Sequence, residues 1–366
     1  MKNKYIKRKY SPGDEEEIVH LLQIGFNGWP QFDLSCSSLD HWRWKYLDNP
    51  TNVKIINLTK NKNRIIACQH GLCRKVKIGE ESFLCSSFCD HTVHPDFRRQ
   101  GISEELVKIN IRQSKEIGVQ FIYFDTAHPT LIKRHSKTDS RFPHPIIRLG
   151  RILDITKHLR IGPQRNSFLI KLGFHTSKLV NKLRKTTNRF ESLSQDLHIS
   201  EISNFDDNID IFWDKIRTYY SFIVERNKKY LNWRYCNHRS GDYLIRQVED
   251  DGQLLGYSVL RINRYHNEYP VGFIVDLLAI PQRLDIADTL VADAVNYFDE
   301  NDINAIFCLV VKNHPYERIF KKYSFLEGRK KPNIFYNALK LKAKLSDLRM
   351  ASASKVHFSY GDRDSI

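Results

Sequence analysis

From Asp90 to Ser103 the chain reads Asp-His-Thr-Val-His-Pro-Asp-Phe-Arg-Arg-Gln-Gly-Ile-Ser, and these residues could hold an anion and move a proton. Thr92 and Val93 end strand-like text, Arg98, Arg99 and Gln100 make a basic turn, and Gly101, Ile102 and Ser103 open a run of helical periodicity. The first N–H groups of a helix lack internal partners and point outward, and the helix dipole adds positive potential there. A phosphate group sits well at such a place. Gly101 puts no Cβ between backbone and ligand. Ser103 is small, and the two arginines add charge. By its chemistry the stretch is a pyrophosphate cradle. Asp90 and His91, just upstream, are candidates to accept a proton, although they also read as an edge-strand pair. His128 and His135, one element later, are candidates to donate one, histidine being the usual proton carrier near neutral pH, or are only caps and surface residues.

The elements that must position this turn are legible in outline. Lys54–Leu58, Arg64–Ile78 and Glu81–Val93 read as strands, the last ending before Pro95. Ile102, Leu106, Ile109 and Ile117 share one helical face, Gly118 ends the helix, and Phe121–Phe124 is a buried strand by composition. The same order recurs. Trp44-Lys45-Tyr46 matches Trp233-Arg234-Tyr235 at an offset of 189, while Asp90, Pro95 and His128-Pro129 fall on Asp276, Pro281 and His314-Pro315 at an offset of 186. In the second copy Asp242–Val248, Leu254–Arg261 and Val271–Ala279 read as strands, Ile286–Phe298 as a helix and Ala305–Val311 as a strand. Each half is an antiparallel meander, a helix and a further strand, which is α+β text.

Composition sets the bounds. A chain of 366 residues with 41% hydrophobic residues can build two cores, and no apolar run approaches the roughly 20 residues that span a bilayer. The basic N-terminus has no apolar h-region, so a cytoplasmic protein is expected. The seven cysteines are odd in number and sit mostly in apolar text, and Cys85 and Cys89 have no second ligand pair at metal spacing. No metal is expected. A net charge of +16 favours polyanionic partners: nucleic acid, an anionic membrane surface or a phosphorylated ligand. Eleven Lys and Arg residues lie between Arg148 and Arg189, with Asp154 as the one acid, and read as a basic connection. The expected division is 1–150, a basic linker 151–195, a second domain 196–344 and a disordered tail 345–366 that starts at Leu345 and includes Ala-Ser-Ala-Ser text.

Val93-His94-Pro95 followed by Arg98-Arg99-Gln100-Gly101-Ile102-Ser103 resembles the acetyl-CoA signature of the GNAT N-acetyltransferase superfamily, with Ser103 where a Gly or Ala is usual. The resemblance implies two tandem GNAT-like domains, each a mixed, mostly antiparallel sheet flanked by helices, with the first sheet splayed between its fourth and fifth strands. It implies acetyl-CoA as co-substrate, pantetheine against the backbone of Thr92-Val93, pyrophosphate on the amides of Arg99 through Ser103, and direct transfer of the acyl group to an amine-bearing acceptor. A backbone N–H near Val93 would help hold the thioester oxygen. The superfamily's Asn and Tyr after the fifth strand are missing from His128–His135, so the general acid is unassigned. The second copy is degenerate: Ala287 replaces Gly101, the paired arginines are gone, and Asp285 stands in the turn. Tandem GNAT folds include transferases of the peptidoglycan-bridge type that use aminoacyl-tRNA; the charge suits tRNA, the intact loop does not. A non-catalytic acyl-CoA sensor is a third reading. A fourth is membrane-surface attachment through Asn166–Lys185, whose helix Gly173 weakens.

Overall fold

The computed structural model describes residues 5–126, 129–154, 157–158, 197–265, 268–328, 332–339, 341 and 348–364. Most of the basic connection and all of 166–185 lie outside the described residues.

The first half runs β1 (Ile6–Lys9), α1 (Glu15–Phe26), α2 (Ser38–Tyr46), β2 (Ile55–Asn61), β3 (Arg64–Ile78), β4 (Glu81–Val93), α3 (Ile102–Glu116), β5 (Phe121–Asp125), α4 (Pro129–Thr138), β6 (Ser140–Arg141) and β7 (Ile146–Ile152). The second runs β8 (His198–Ile202), α5 (Asn208–Arg217), β9 (Phe222–Val224), β10 (Leu244–Asp250), β11 (Gln253–Asn263), β12 (Val271–Ala279), α6 (Leu284–Glu300), β13 (Ala305–Val311), α7 (Pro315–Lys322), β14 (Leu326–Glu327) and β15 (Ile334–Ala338). Two mixed sheets result, flanked by helices, as the resemblance implied. One has the order β1-β2-β3-β4-β5-β15-β6, with β9 also on β3; the other has β14-β7-β13-β12-β11-β10-β8. Each contains one parallel pair, β4 with β5 and β12 with β13.

The division of the chain differs from the expected one. β7, at the end of the first half, pairs with β13 in the second sheet, and β15, at the end of the second half, pairs with β5 in the first. The halves therefore exchange their last long strands. Arg151, expected in a solvated linker, is 2% exposed within β7 and bonds the carbonyl of Tyr323 at 2.7 Å. Strand text specifies a buried strand but not which of two similar open edges receives it.

The Trp motifs form the pivot between the copies. Ser37 caps α2 by accepting from Asp40 N–H at 3.0 Å, which fixes Trp42, Trp44, Lys45 and Tyr46 on buried positions. Trp44 and Trp233 stack at 4.9 Å, and each indole N–H donates to the other's carbonyl, at 2.8 and 3.2 Å. Such reciprocity is the signature of a two-fold relation. One hydrophobic cluster runs through both halves.

The expected disordered tail is ordered from Leu348 to Asp364. Val356, Phe358 and Tyr360 are buried, and Val356 bridges Phe222. The polar residues between them are paired rather than solvated: Ser359 Oγ donates to Asp276 at 2.9 Å, and Arg226 donates to Asp362 at 2.7 Å. Gly361 passes so close to Tyr235 that a Cβ would lie 2.0 Å from its hydroxyl, so only glycine fits. Polar text suggested solvent, but partners distant in sequence satisfy it.

Candidate acyl-transfer site

A bulge on β4 shapes the site. Cys68 faces Thr92 and His70 faces Cys89, so Gln69 alone opposes both Asp90 and His91, and Asp90 takes φ +43°. β4 pairs with β5 only over Cys85–Ser87, and beyond that point the two strands part. The fork opens into a chamber of about 630 Å³ between Phe88–His91 on β4, Val107 and Ile111 on α3, Ile122 and Phe124–Thr126 on and just past β5, and Leu131 and His135 on α4. The second copy supplies Asn263 and Phe273, and the C-terminal segment supplies Tyr360, Arg363 and Asp364.

At the mouth, Pro95–Phe97 make one tight turn, Arg99 and Gly101 take φ +62° and +77°, and α3 starts at Ile102. Gly101 is the N-cap residue, and Glu104 and Glu105 N–H bond back to its carbonyl at 3.1 and 3.2 Å. Among the described residues no backbone acceptor takes the amides of Arg99, Gln100 or Gly101. A Cβ on Gly101 would meet nothing within 4 Å, so the glycine is required by its positive φ and leaves open space over the amides.

The predicted site residues separate into groups. Asp90, His91 and Ser103 line the chamber. Thr92 turns its side chain toward Gly25 of α1, and Val93 and Ile102 pack in a small core with Ile66 and Leu106, so for these three only backbone is left for a ligand. Arg98 folds back, its Nε donating to Val93 O at 3.0 Å and its Nη2 reaching Gly25 O at 3.4 Å; it braces the loop against α1. Gln100 accepts from the Tyr5 hydroxyl at 2.6 Å. His128 lies outside the described residues. His135 faces Asp139 at 2.8 Å and packs on Phe124.

Asp90 is fully engaged. Trp29 Nε1 donates to it at 2.9 Å, Lys45 Nζ at 2.7 Å, and the Tyr46 hydroxyl also donates to it. Burial alone would raise its pKa, but the Lys45 charge, His70 and these hydrogen bonds win and hold it below the usual carboxylate range. A carboxylate so held is a poor proton acceptor at neutral pH. Its role is to fix α2 against the bulge. His70, buried beneath it, is pushed down to about 4 and stays neutral, with Trp42 Nε1 donating to its Nε2 at 3.1 Å. Cys89 is pushed up to about 12, chiefly by burial, so it is a thiol. His91 meets Ser103 Oγ through Nε2 at 2.8 Å and Gln69 through Nδ1, which places a titratable ring between the bulge and the helix start.

Sequence reading missed Arg363 and Asp364. A usable signal was present, because Val356-His-Phe-Ser-Tyr360 alternates apolar and polar as a strand does. Asp364, Asp90 and Cys89 bring ligand-type atoms within 4.8 Å of one another. The cation among them is the Lys45 ammonium, 2.7 Å from Asp90 and 3.7 Å from Asp364.

The same fork in the second copy is closed. β12 pairs with β13 over Val271–Ile274 and then diverges, but Val356–Ser359 lie in the gap and leave about 20 Å³. His357 Nε2 bonds Leu277 O at 3.1 Å. At the start of α6 the chain supplies its own anion: Asp285 pairs with Arg283 at 2.7 Å and is held low by that bond and, against partial burial, by the amides of Asp285 and Ile286.

Residues 7–134 match the family model described as acetyltransferase (GNAT) domain. Solved structures share the fold over nearly the whole chain. Saccharomyces cerevisiae N-myristoyltransferase with bound myristoyl-CoA has a TM-score of 0.65 and 12% identity, covering 98% of this chain and 85% of that one. A conserved Enterococcus faecalis protein of unknown function, titled a probable N-acyltransferase, has a TM-score of 0.63 and 11% identity over 94% of this chain and 74% of that one. A GCN5-related N-acetyltransferase from Anabaena variabilis has a TM-score of 0.61 and 10% identity over 92% and 73%. At these identities the likeness concerns the fold. No protein of curated function matches the sequence. Among the described residues no helix is long and apolar enough to cross a membrane.

Proposed function

We propose that this chain, whose residues 7–134 form an acetyltransferase (GNAT) domain, is an acyl-CoA:amine N-acyltransferase that works in its first half only. The observation that carries the reading is the coincidence of amides at Arg99–Gly101 that no backbone acceptor takes, among the described residues, with an open fork beside the β4 bulge. The pyrophosphate of acetyl-CoA, or of a CoA ester with a longer acyl group, would rest on those amides and on the start of α3, favoured by the dipole. Pantetheine would lie in the fork, with the backbone of Thr92-Val93 as its partner.

An amine then attacks the thioester carbonyl directly. The C–N bond forms, the C–S bond breaks, and the CoA thiolate takes a proton. A β4 amide at the bulge holds the oxygen as it gains charge. Most of the rate comes from positioning two substrates in one dry chamber. His91, hydrogen-bonded to Ser103 and backed by Gln69, is the residue that would relay protons at the β4 wall. Asp90 supports that wall through Lys45 and Tyr46 and takes no proton.

Calorimetry with acetyl-CoA tests this. Wild type should bind one equivalent, and Gly101→Glu, which puts a carboxylate and a strained φ at the amides, should weaken binding about 100-fold or more. Thiol release with a panel of primary amines should follow binding. Equal affinity of the two proteins would overturn the reading.

A further inference from the structure

The chamber has two ends, and the amides of the α3 start account for one. The other is built from segments distant in sequence: the loop after α1, the second copy, and the C-terminal segment around Arg363 and Asp364. Asp364 occupies a distinctive position there. Its carboxylate oxygen lies within 4.8 Å of Cys89 Sγ and an Asp90 oxygen, on the β4 arm of the fork. It also acts electrostatically on Asp125, on the β5 arm. It therefore stands across the gap where the strands part, beside the bulge that would hold a thioester.

Its pairing contrasts with that of its neighbours. Asp90 has three donors, and Asp125 is held by Arg363. Among the described residues Asp364 has one ionic partner, Lys45 at 3.7 Å, and that ammonium is committed to Asp90 at 2.7 Å. Its side chain remains 25% exposed, facing the chamber. The position is fixed by the surrounding chain: Arg74 donates to the carbonyl of Arg363 at 3.0 Å, and Arg363 stacks over Tyr360, which itself packs on Phe273 of the second copy. The chamber it faces has aromatic as well as polar walls, with Phe26, Trp29, Phe32, Phe273 and Tyr360 among the lining residues.

We infer that Asp364 is the carboxylate that receives the acceptor's ammonium, and that the acceptor is a primary amine on an apolar body. This rests on the acyl-transfer reading and names the substrate class of that same site. An amine arrives at neutral pH as R–NH3+. Asp364 pairs with it in place of water, and the aromatic walls cover the rest of the molecule. One proton passes from the ammonium to the carboxylate and on to solvent, leaving R–NH2. The nitrogen lone pair forms the C–N bond, the C–S electrons leave on sulfur, and a second N–H proton goes to the thiolate. The products are the amide, HS-CoA and one released proton. The groups facing Asp364 are Lys45 on α2, Cys89 and Asp90 on β4, Asp125 on β5, and its neighbour Arg363.

Phenethylammonium chloride is the probe, titrated calorimetrically into the full chain in the presence of CoA. Wild type should bind it saturably. Asp364→Asn should weaken that binding about tenfold or more, while Asp364→Glu should retain much of it and both variants should bind acetyl-CoA within about twofold of wild type. In turnover, Asp364→Asn should raise KM for the amine and lower kcat. An absence of probe binding by wild type, or undiminished binding by Asp364→Asn, overturns the inference. Failure of the acyl-transfer reading is visible separately, as the loss of acetyl-CoA binding itself.

Discussion

Asp90 and Asp276 stand at the same fork in two copies of one fold, and their surroundings have diverged. Both are buried carboxylates held by a cation and tyrosine hydroxyls: Lys45 and Tyr46 in one, Arg226, Tyr235 and Tyr257 in the other. Both sit beside a strand bulge where the parallel partner peels away. Past Asp90 lies a chamber of about 630 Å³; past Asp276 lie Val356–Ser359 and about 20 Å³. The carboxylate is thus a device of the fold, which pins the helix before the sheet to the bulge. What differs is whether the gap beyond it is left for a ligand or filled by the chain. The C-terminal segment serves both copies, since the residues that fill the second fork also carry Arg363 and Asp364 into the first.

Removing that segment is the most severe way to test the contrast. A chain ending at Lys355 leaves Arg226 and Asp276 short of partners and strips Val356, Phe358 and Tyr360 from the core. A loss of more than ~5 kcal/mol, read by urea denaturation, or no cooperative unfolding at all, is expected. A truncated chain that unfolds at the wild-type midpoint would show that the filling is not structural.

The carboxylates come next. Asp276→Asn removes one of the two carboxylates on the fully buried Arg226 guanidinium, leaving Asp362 at 2.7 Å, and should cost about 3 kcal/mol. Asp90→Asn should cost a similar amount, about 3 kcal/mol, because Lys45 likewise keeps a second carboxylate, Asp364 at 3.7 Å. Both carboxylates are held below their unfolded values, so the stability they contribute is complete above about pH 4 and is lost as pH falls through their folded pKa. Melting curves from pH 6 to pH 2 should fall steeply for wild type and less steeply for each Asn variant. Parallel curves would mean that the ion pairs are not formed in solution.

The smallest effect concerns the degenerate turn. Asp285→Gly removes the carboxylate at the start of α6 and should cost only about 0.5 kcal/mol of helix-terminus stabilisation. Acetyl-CoA should still bind with one equivalent per chain, because the fork behind that turn stays full. A second equivalent, detected by calorimetry, would mean that Asp285 and not the C-terminal segment silences the second copy.

Much of this molecule was legible in order along the chain. β3, β4, β12 and β13 begin and end where their composition placed them, and the turn Arg98–Ser103 lies between strand and helix because Pro95, Gly101 and the periodicity after Ile102 are local signals. The repeat was legible as well, and its paired Trp motifs meet in space as the stacked Trp44 and Trp233. The strand exchange was not. β7 and β15 carry apolar text that either sheet edge accepts, and only the geometry of the whole pair decides which one takes it. Arg98 was misjudged for a related reason: charge type is visible in a sequence, but whether a guanidinium faces a ligand or ties Val93 to Gly25 depends on what packs beside it.

The sequence by itself determined that there are two copies, that each has a meander, a helix and a further strand, and that one copy keeps a glycine turn at the start of its helix. Those properties reside in contiguous residues, where periodicity and backbone preference act directly. The tertiary structure alone decided that Asp90 is saturated by Lys45, Tyr46 and Trp29, that one fork is open and the other filled, and that a polar C-terminal segment is buried with Asp364 in the chamber. Each of these depends on partners tens to hundreds of residues apart, and burial and electrostatic pairing are set by what the fold brings together rather than by what stands next in the chain.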